Sequence, residues 1–213
     1  MPFDPPVVVV TDRSRFPAAA PGEAFSPEEW RALAAAIAGG PGALQLRDKD
    51  LAGGFVYERA ERLRELCRRA GVKLLVNDRV DVACAVGADG VQLPAAGIAP
   101  ADARRLLPAG AIVGRSLHSA AEIPDAAGAD FVVYGPVFET PSKRAYGPPQ
   151  GLDALTGVCR ASEIPVVAIG GIDDARAPEV RSAGAAGIAA IAAVLGAPDP
   201  AAAVRRLVAA FAA

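Results

Sequence analysis

Eight short apolar runs recur along this chain, each closed by a polar cluster and followed by a helical segment. They cover residues 7–11, 43–47, 73–76, 90–93, 111–114, 131–134, 165–169 and 187–191. Because the runs are apolar on both faces, they read as strands of a parallel sheet covered on both sides. The first helix opens at Ser26-Pro27-Glu28-Glu29, with an N-cap, a proline at the first position and acids in the first turn, and closes at Gly39 to Gly42. Further helices are expected over 54–70 (stopping at Gly71), 79–86, Pro100 to about Pro108, 119–127 (shortened at Pro124), 152–161, 175–183 and 200–211. The unit length, roughly 27 residues, is that of a βα repeat. AVGADGVQL, AAGADFVVY and SAGAAGIAA echo one another, each a helix ending at Gly-Ala just before a strand. A doubly wound sheet would want a glycine-rich turn after strand one, where Thr11-Asp12-Arg13 stand instead. The expectation is therefore an α/β fold, a (β/α)8 TIM barrel over residues 1–213 as a single domain.

Composition narrows the function. The chain is 52% hydrophobic but only 5% aromatic, so its core must be built from Ala, Val, Leu and Ile. A formal net charge of −2 gives no general attraction to nucleic acid or to an anionic membrane. Cys67, Cys84 and Cys159 show no C-x-x-C spacing and read as small apolar residues in a reducing compartment. MPFDPP lacks the features of a signal peptide and no membrane span is expected, so the cytoplasm is the expected location.

In a barrel the C-terminal ends of all strands share one mouth. Residues expected there are Asp12; Gln45, Arg47 and Lys49; Asn77 and Asp78; Gln92; Arg115, Ser116 and His118; and Thr140, Ser142 and Lys143. Arg47, Lys49, Arg115 and Lys143 would bring four positive charges to one rim of a slightly acidic protein, which suits a phosphate or pyrophosphate. Hydroxyls at Thr140 and Ser142 add donors beside Gly135-Pro136. A second anion feature is expected where strands seven and eight end. Gly170-Gly171 allows close approach of main-chain N–H groups, and Ala192 begins a short helix that can offer only its main chain. Asp78 is the metal candidate, although it reads equally as a helix N-cap. His118, the one histidine, reads as a base, a structural group or a phosphate contact. No Ser-His-Asp order, zinc spacing or P-loop is present.

Taken in order, LQLRDKD, LLVNDRVDVACAVGADGVQLP, GRSLHS, YGPVFETPSK and IPVVAIGGI resemble the motifs of the thiamine phosphate synthase/TenI family across nearly the whole chain. The resemblance implies a TIM barrel. In the synthase branch, a pyrimidine pyrophosphate ionises with Mg²⁺ help and a thiazole phosphate captures the cation. Gln45, Arg47, Lys49, Asn77 and Lys143 match that branch's pyrophosphate positions, Asp78 a metal ligand and Ser116 a site residue. Thr140, Ser142 and Gly171 match positions that hold the thiazole phosphate. The synthase pattern His-Leu-Gly-Gln after strand four, with a second metal carboxylate following, is replaced by Gln92-Leu93-Pro94-Ala95-Ala96-Gly97. One of two expected Mg²⁺ ligands is thus absent, which favours the TenI branch of thiazole tautomerases. Yet the catalytic histidine of that branch falls at Pro136. Two substitutes are weighed: Arg115 standing in for part of the metal charge, and His118 for the missing base. The expected partners are a phosphorylated thiazole and a pyrimidine pyrophosphate, with no nucleic acid or membrane, and a homodimer is compatible with the pattern. The alternatives to a TenI-type enzyme are a working synthase and a non-catalytic thiamine-phosphate-binding regulator.

Overall fold

Every apolar run forms a strand, and the strands pair in parallel, in sequence order, into a closed barrel in which β8 returns to β1. The computed structural model describes residues 1–140 and 148–213. The strands are β1 (Val7–Val10), β2 (Ala43–Leu46), β3 (Lys73–Asn77), β4 (Gly90–Leu93), β5 (Ile112–Leu117), β6 (Phe131–Tyr134), β7 (Val166–Ile169) and β8 (Gly187–Ala190). The helices are α1 (Pro27–Ala38), α2 (Gly53–Ala70), α3 (Val80–Val86), α4 (Pro100–Leu106), α5 (Gly151–Ala161), α6 (Ala177–Ser182), α7 (Ala192–Leu195) and α8 (Pro200–Ala212). Between β5 and β6 the chain forms a 3-10 helix, Ala120–Ala126, with Pro124 inside it. Two helix starts follow side-chain capping: at α1 the Ser26 hydroxyl accepts from the Glu29 amide (3.2 Å), and at α8 the Asp199 carboxylate accepts from the Ala202 amide (2.9 Å).

Alternation along each strand divides the core in two. One set of side chains packs between strands and helices. The other fills the barrel, with Val8, Val10, Ala43, Leu75, Ile112, Phe131, Val133, Val167 and Ala189. Phe3 closes the floor, 5% exposed, its ring edge-on to Phe131 at 5.5 Å. The sequence echo has a structural reason. Asp89 and Asp130, which follow the Gly-Ala pairs, accept from the Leu74 and Val113 amides of the preceding strands at 2.9 and 2.7 Å. Each also pairs with a helix arginine, Arg64 at 3.0 Å and Arg104 at 2.6 Å.

One boundary changes the reading of the site. β5 runs three residues past Gly114, to Leu117. In that register Ile112, Gly114 and Ser116 face the barrel interior, whereas Val113, Arg115 and Leu117 face outward. Arg115 therefore leaves the cationic rim.

Candidate active site

The inner layer nearest the mouth is polar on one side only. Gln45 (β2), Asn77 (β3), Gln92 (β4) and Ser116 (β5) occupy inward positions and join in two pairs. Gln45 Nε2 donates to Asn77 Oδ1 at 3.1 Å, and Gln92 Nε2 donates to Ser116 Oγ at 3.1 Å. Each bond fixes what remains to offer: an amide NH₂ at Asn77, a hydroxyl hydrogen at Ser116. Gln92 is 2% exposed and its Oε1 has no partner among the described residues. On the opposite side the same level is lined by Val10, Val133, Ile169 and Ile191.

Above the polar half, the segment after β2 is held at several points. The Arg47 amide donates to Oγ1 of fully buried Thr11 at 2.8 Å. Asp48 turns inward, accepting from Arg59 Nε at 2.7 Å, while the other edge of that guanidinium binds Glu29 and the Ala24 carbonyl. Arg59 also lies 4.0 Å from the centroid of the Phe25 ring. Asp50 pairs with Arg13. Among the described residues, the side chains of Arg47 and Lys49 form no hydrogen bond or ion pair. Burial, and then the Arg47 charge, hold the Lys49 ammonium below the ordinary lysine range, while Asp78 pulls the other way. These three side chains thus share one electrostatic neighbourhood.

Asp78 adopts φ 64°, the one non-glycine residue with positive φ among those described, a conformation aspartate tolerates. It does not cap α3. The N-cap position belongs to Arg79, without a side-chain cap bond. The Asp78 carboxylate is exposed and lies against Gly97, where a methyl group would come within 3.1 Å of Oδ1. Among the described residues no three His, Cys, Asp or Glu side chains gather to hold a metal. A single rim carboxylate fits Mg²⁺ only if the ion takes its other ligands from water and substrate phosphates, as Mg²⁺ commonly does. Asp12 accepts from Ser14 (2.6 Å) and pairs with Arg15 (3.2 Å), so it anchors its own loop.

Arg115 corrects the sequence reading. It is 6% exposed, lies behind the barrel wall, and donates to the carbonyls of Ala95 (2.8 Å), Gly97 (3.2 Å) and Ile98 (3.0 Å). It does not stand beside a ligand as a substitute for metal charge. His118 is exposed, with Nδ1 3.1 Å from the Gly135 carbonyl and its own amide bonded to Glu122 Oε2 at 2.8 Å. A carbonyl only accepts, so Nδ1 carries the proton and Nε2 is left toward solvent.

On the far side of the mouth, Gly170 and Gly171 have φ of 105° and 66°. A methyl group at either would meet the segment after β6 at 2.6 Å (Pro136) or 2.8 Å (Phe138), so only glycine satisfies both backbone and space. Arg176, which sequence reasoning passed over, braces this corner by donating to the Gly171 carbonyl (2.7 Å) and stacking on Phe138. Ala192 opens α7 directly after β8. Thr140 ends the described part of the loop after β6, and the expected contacts from Ser142 and Lys143 lie outside the described residues. Arg59 and Thr11 were also not identified from sequence. Thr11 reads there as the last residue of a strand and Arg59 as one of many arginines on a charged helix.

The family described as thiamine monophosphate synthase matches residues 17–194. A thiamine-phosphate synthase of Roseiflexus castenholzii is 49% identical over 176 residues, covering 81% of this chain and 77% of its own. Another, from Methanoculleus marisnigri, is 47% identical over 174 residues, covering 81% of this chain and 82% of its own. The solved structure of thiamine phosphate pyrophosphorylase from Pyrococcus furiosus superposes with a TM-score of 0.82 at 36% identity, covering 97% of this chain and 95% of that one.

Proposed function

Because this chain belongs to the thiamine monophosphate synthase family, we propose that it is a thiamine-biosynthesis enzyme that couples hydroxymethylpyrimidine pyrophosphate to thiazole phosphate. The observation carrying this reading is a pair of cations, Arg47 and Lys49, that have no partner among the described residues and lie beside Asp78 on a segment whose neighbours are tied down. Cations without an ion-pair partner break no existing pair when a dianion arrives, and they gain most when its charge grows. In the coupling, the C–O bond between the pyrimidine methylene and pyrophosphate breaks. The electron pair leaves with pyrophosphate, and the thiazole nitrogen supplies the pair for the new C–N bond. Arg47 and Lys49 stabilise the departing oxygens, and Asn77 and Ser116 donate hydrogen bonds from inside the barrel. The glycine corner and the first turn of α7 offer main-chain amides to the thiazole phosphate. Mg²⁺, when bound, supplies further charge neutralisation at the pyrophosphate, with Asp78 as its protein ligand.

A second reading, a TenI-type thiazole tautomerase, is favoured by Gln92-Leu93-Pro94 and by the segment Ala95-Ala96-Gly97, which holds no carboxylate. Against it, Pro136 stands where that branch needs its histidine, and His118 faces solvent. The two separate in one experiment. Purified protein is incubated with both synthase substrates, with and without Mg²⁺, and separately with the thiazole tautomer alone. Thiamine phosphate formed only with Mg²⁺ supports the synthase. Turnover of the thiazole alone, lost in His118→Ala, supports the tautomerase. No product in either arm leaves the protein a binder rather than an enzyme.

A further inference from the structure

A buried guanidinium normally finds a carboxylate. Among the described residues Arg115 has none; its partners are three carbonyl oxygens of the turn joining β4 to α4. A buried cation held by three main-chain dipoles fixes those dipoles in turn, because releasing any of them strands charge in a dry place. The turn is thereby fastened from beneath at Ala95, Gly97 and Ile98. It is also closed on itself by the Gly97 amide donating to the Pro94 carbonyl at 2.8 Å.

The middle one of these residues touches the site. Gly97 offers its carbonyl to Arg115 on one side and packs against the Asp78 carboxylate on the other. Its own backbone is not in the positive-φ region, so the absence of a side chain there serves space alone: an added methyl would meet Pro94 at 2.9 Å and Asp78 Oδ1 at 3.1 Å. Asp78 is held at its other end by its unusual φ and by its amide donating to the Gln92 carbonyl at 3.0 Å. The carboxylate thus rests on a turn that Arg115 binds from behind.

We infer that Arg115 is a positioning residue that sets the Asp78 carboxylate through Gly97, so that one rim acid serves pyrophosphate binding in a turn that carries no second one. The inference rests on the proposed pyrophosphate seat and adds to it a residue that touches neither ligand nor metal.

The test is calorimetric titration of pyrophosphate into the full chain, in Mg²⁺ and in EDTA, for wild type, Asp78→Asn, Arg115→Met, Arg115→Lys and Gly97→Ala. Arg115→Met and Gly97→Ala should each weaken binding in Mg²⁺ by about 10- to 100-fold, the usual effect of disturbing an outer support of a metal ligand. Both should leave binding in EDTA within about twofold, and Arg115→Lys, which keeps the charge but loses the fork, should recover only part. In an Asp78→Asn background, adding Arg115→Met should change nothing further, since the path it acts through is gone. Gly97→Ala keeps the test open if Arg115→Met does not fold. Equal losses in Mg²⁺ and EDTA, or an undiminished loss in the Asp78→Asn background, would overturn the inference while leaving the pyrophosphate seat standing. Absence of any Mg²⁺-dependent pyrophosphate binding in wild type would take down the seat, and the inference with it.

Discussion

Lys49 and Arg47 are cations at the mouth whose side chains, among the described residues, make no hydrogen bond or ion pair, a lack shared by exposed Arg160 on α5 and Arg205 on α8. Arg62, Arg64, Arg68, Arg69 and Lys73 all sit beside carboxylates. Removing the charge in Arg47→Gln or Lys49→Gln should therefore lower kcat/KM for the proposed coupling by about 10- to 100-fold, one charge-assisted hydrogen bond's worth, with an unchanged circular dichroism spectrum. The depressed Lys49 value gives this a pH signature. An anion needs the protonated amine, so affinity should fall as pH rises through a point below the ordinary lysine value. In Lys49→Arg the fall should move out of range, which a pH series of pyrophosphate Kd checks. The type and place of these residues were legible in sequence, because a polar residue after an apolar run needs only a strand count to be put at the mouth. Arg115 was not legible. Its side of the wall depends on whether β5 ends at Gly114 or three residues later, and a strand whose last turn inward is Ser116 looks, as sequence, like a loop.

At the scale of elements, the segment after β2 is secured by a network that carries more acid than base. Asp48, Glu29 and Arg59 are all nearly inaccessible, and burial pushes Asp48 above its usual carboxylate range even though Arg59 pulls it down. Arg59→Met would strand two acids in the interior and should cost about 3–5 kcal/mol, read as a lower urea midpoint. Arg13→Ala, which breaks an exposed pair, should cost within about 1 kcal/mol. Gly114 offers a second element-scale check. A methyl group there would meet Gln92 Oε1 at 2.1 Å and the Phe131 ring at 2.5 Å, so Gly114→Ala should destabilise by about 1–3 kcal/mol. It should also disturb the Gln92–Ser116 pair. The helix start at Ser26 was readable because capping is local chemistry, whereas the Asp199 cap before α8 was not identified from sequence. The partners of Arg59 come from α1, from the loop before it and from the segment after β2, and nothing local announces them.

At the scale of the whole molecule, burial predicts which thiols react. Cys67 is inaccessible and burial pushes it up to about 12, Cys159 is half-buried and pushed to about 11, and Cys84 is exposed. A thiol reagent at neutral pH should thus titrate one cysteine of the native chain quickly and all three after denaturation. The barrel itself was readable from the count and apolarity of its strands, since only a sheet covered on both faces tolerates so many runs of that kind. The one-sidedness of its interior was not: neighbours around a ring become visible only once the register is known. No helix among the described residues is long and apolar enough to cross a membrane. Phe3 beneath Phe131 has a further consequence, because an interior packed with side chains down to its base leaves the mouth as the way in and out. Two ligands seated there together should come away in an order set by which of them lies outermost.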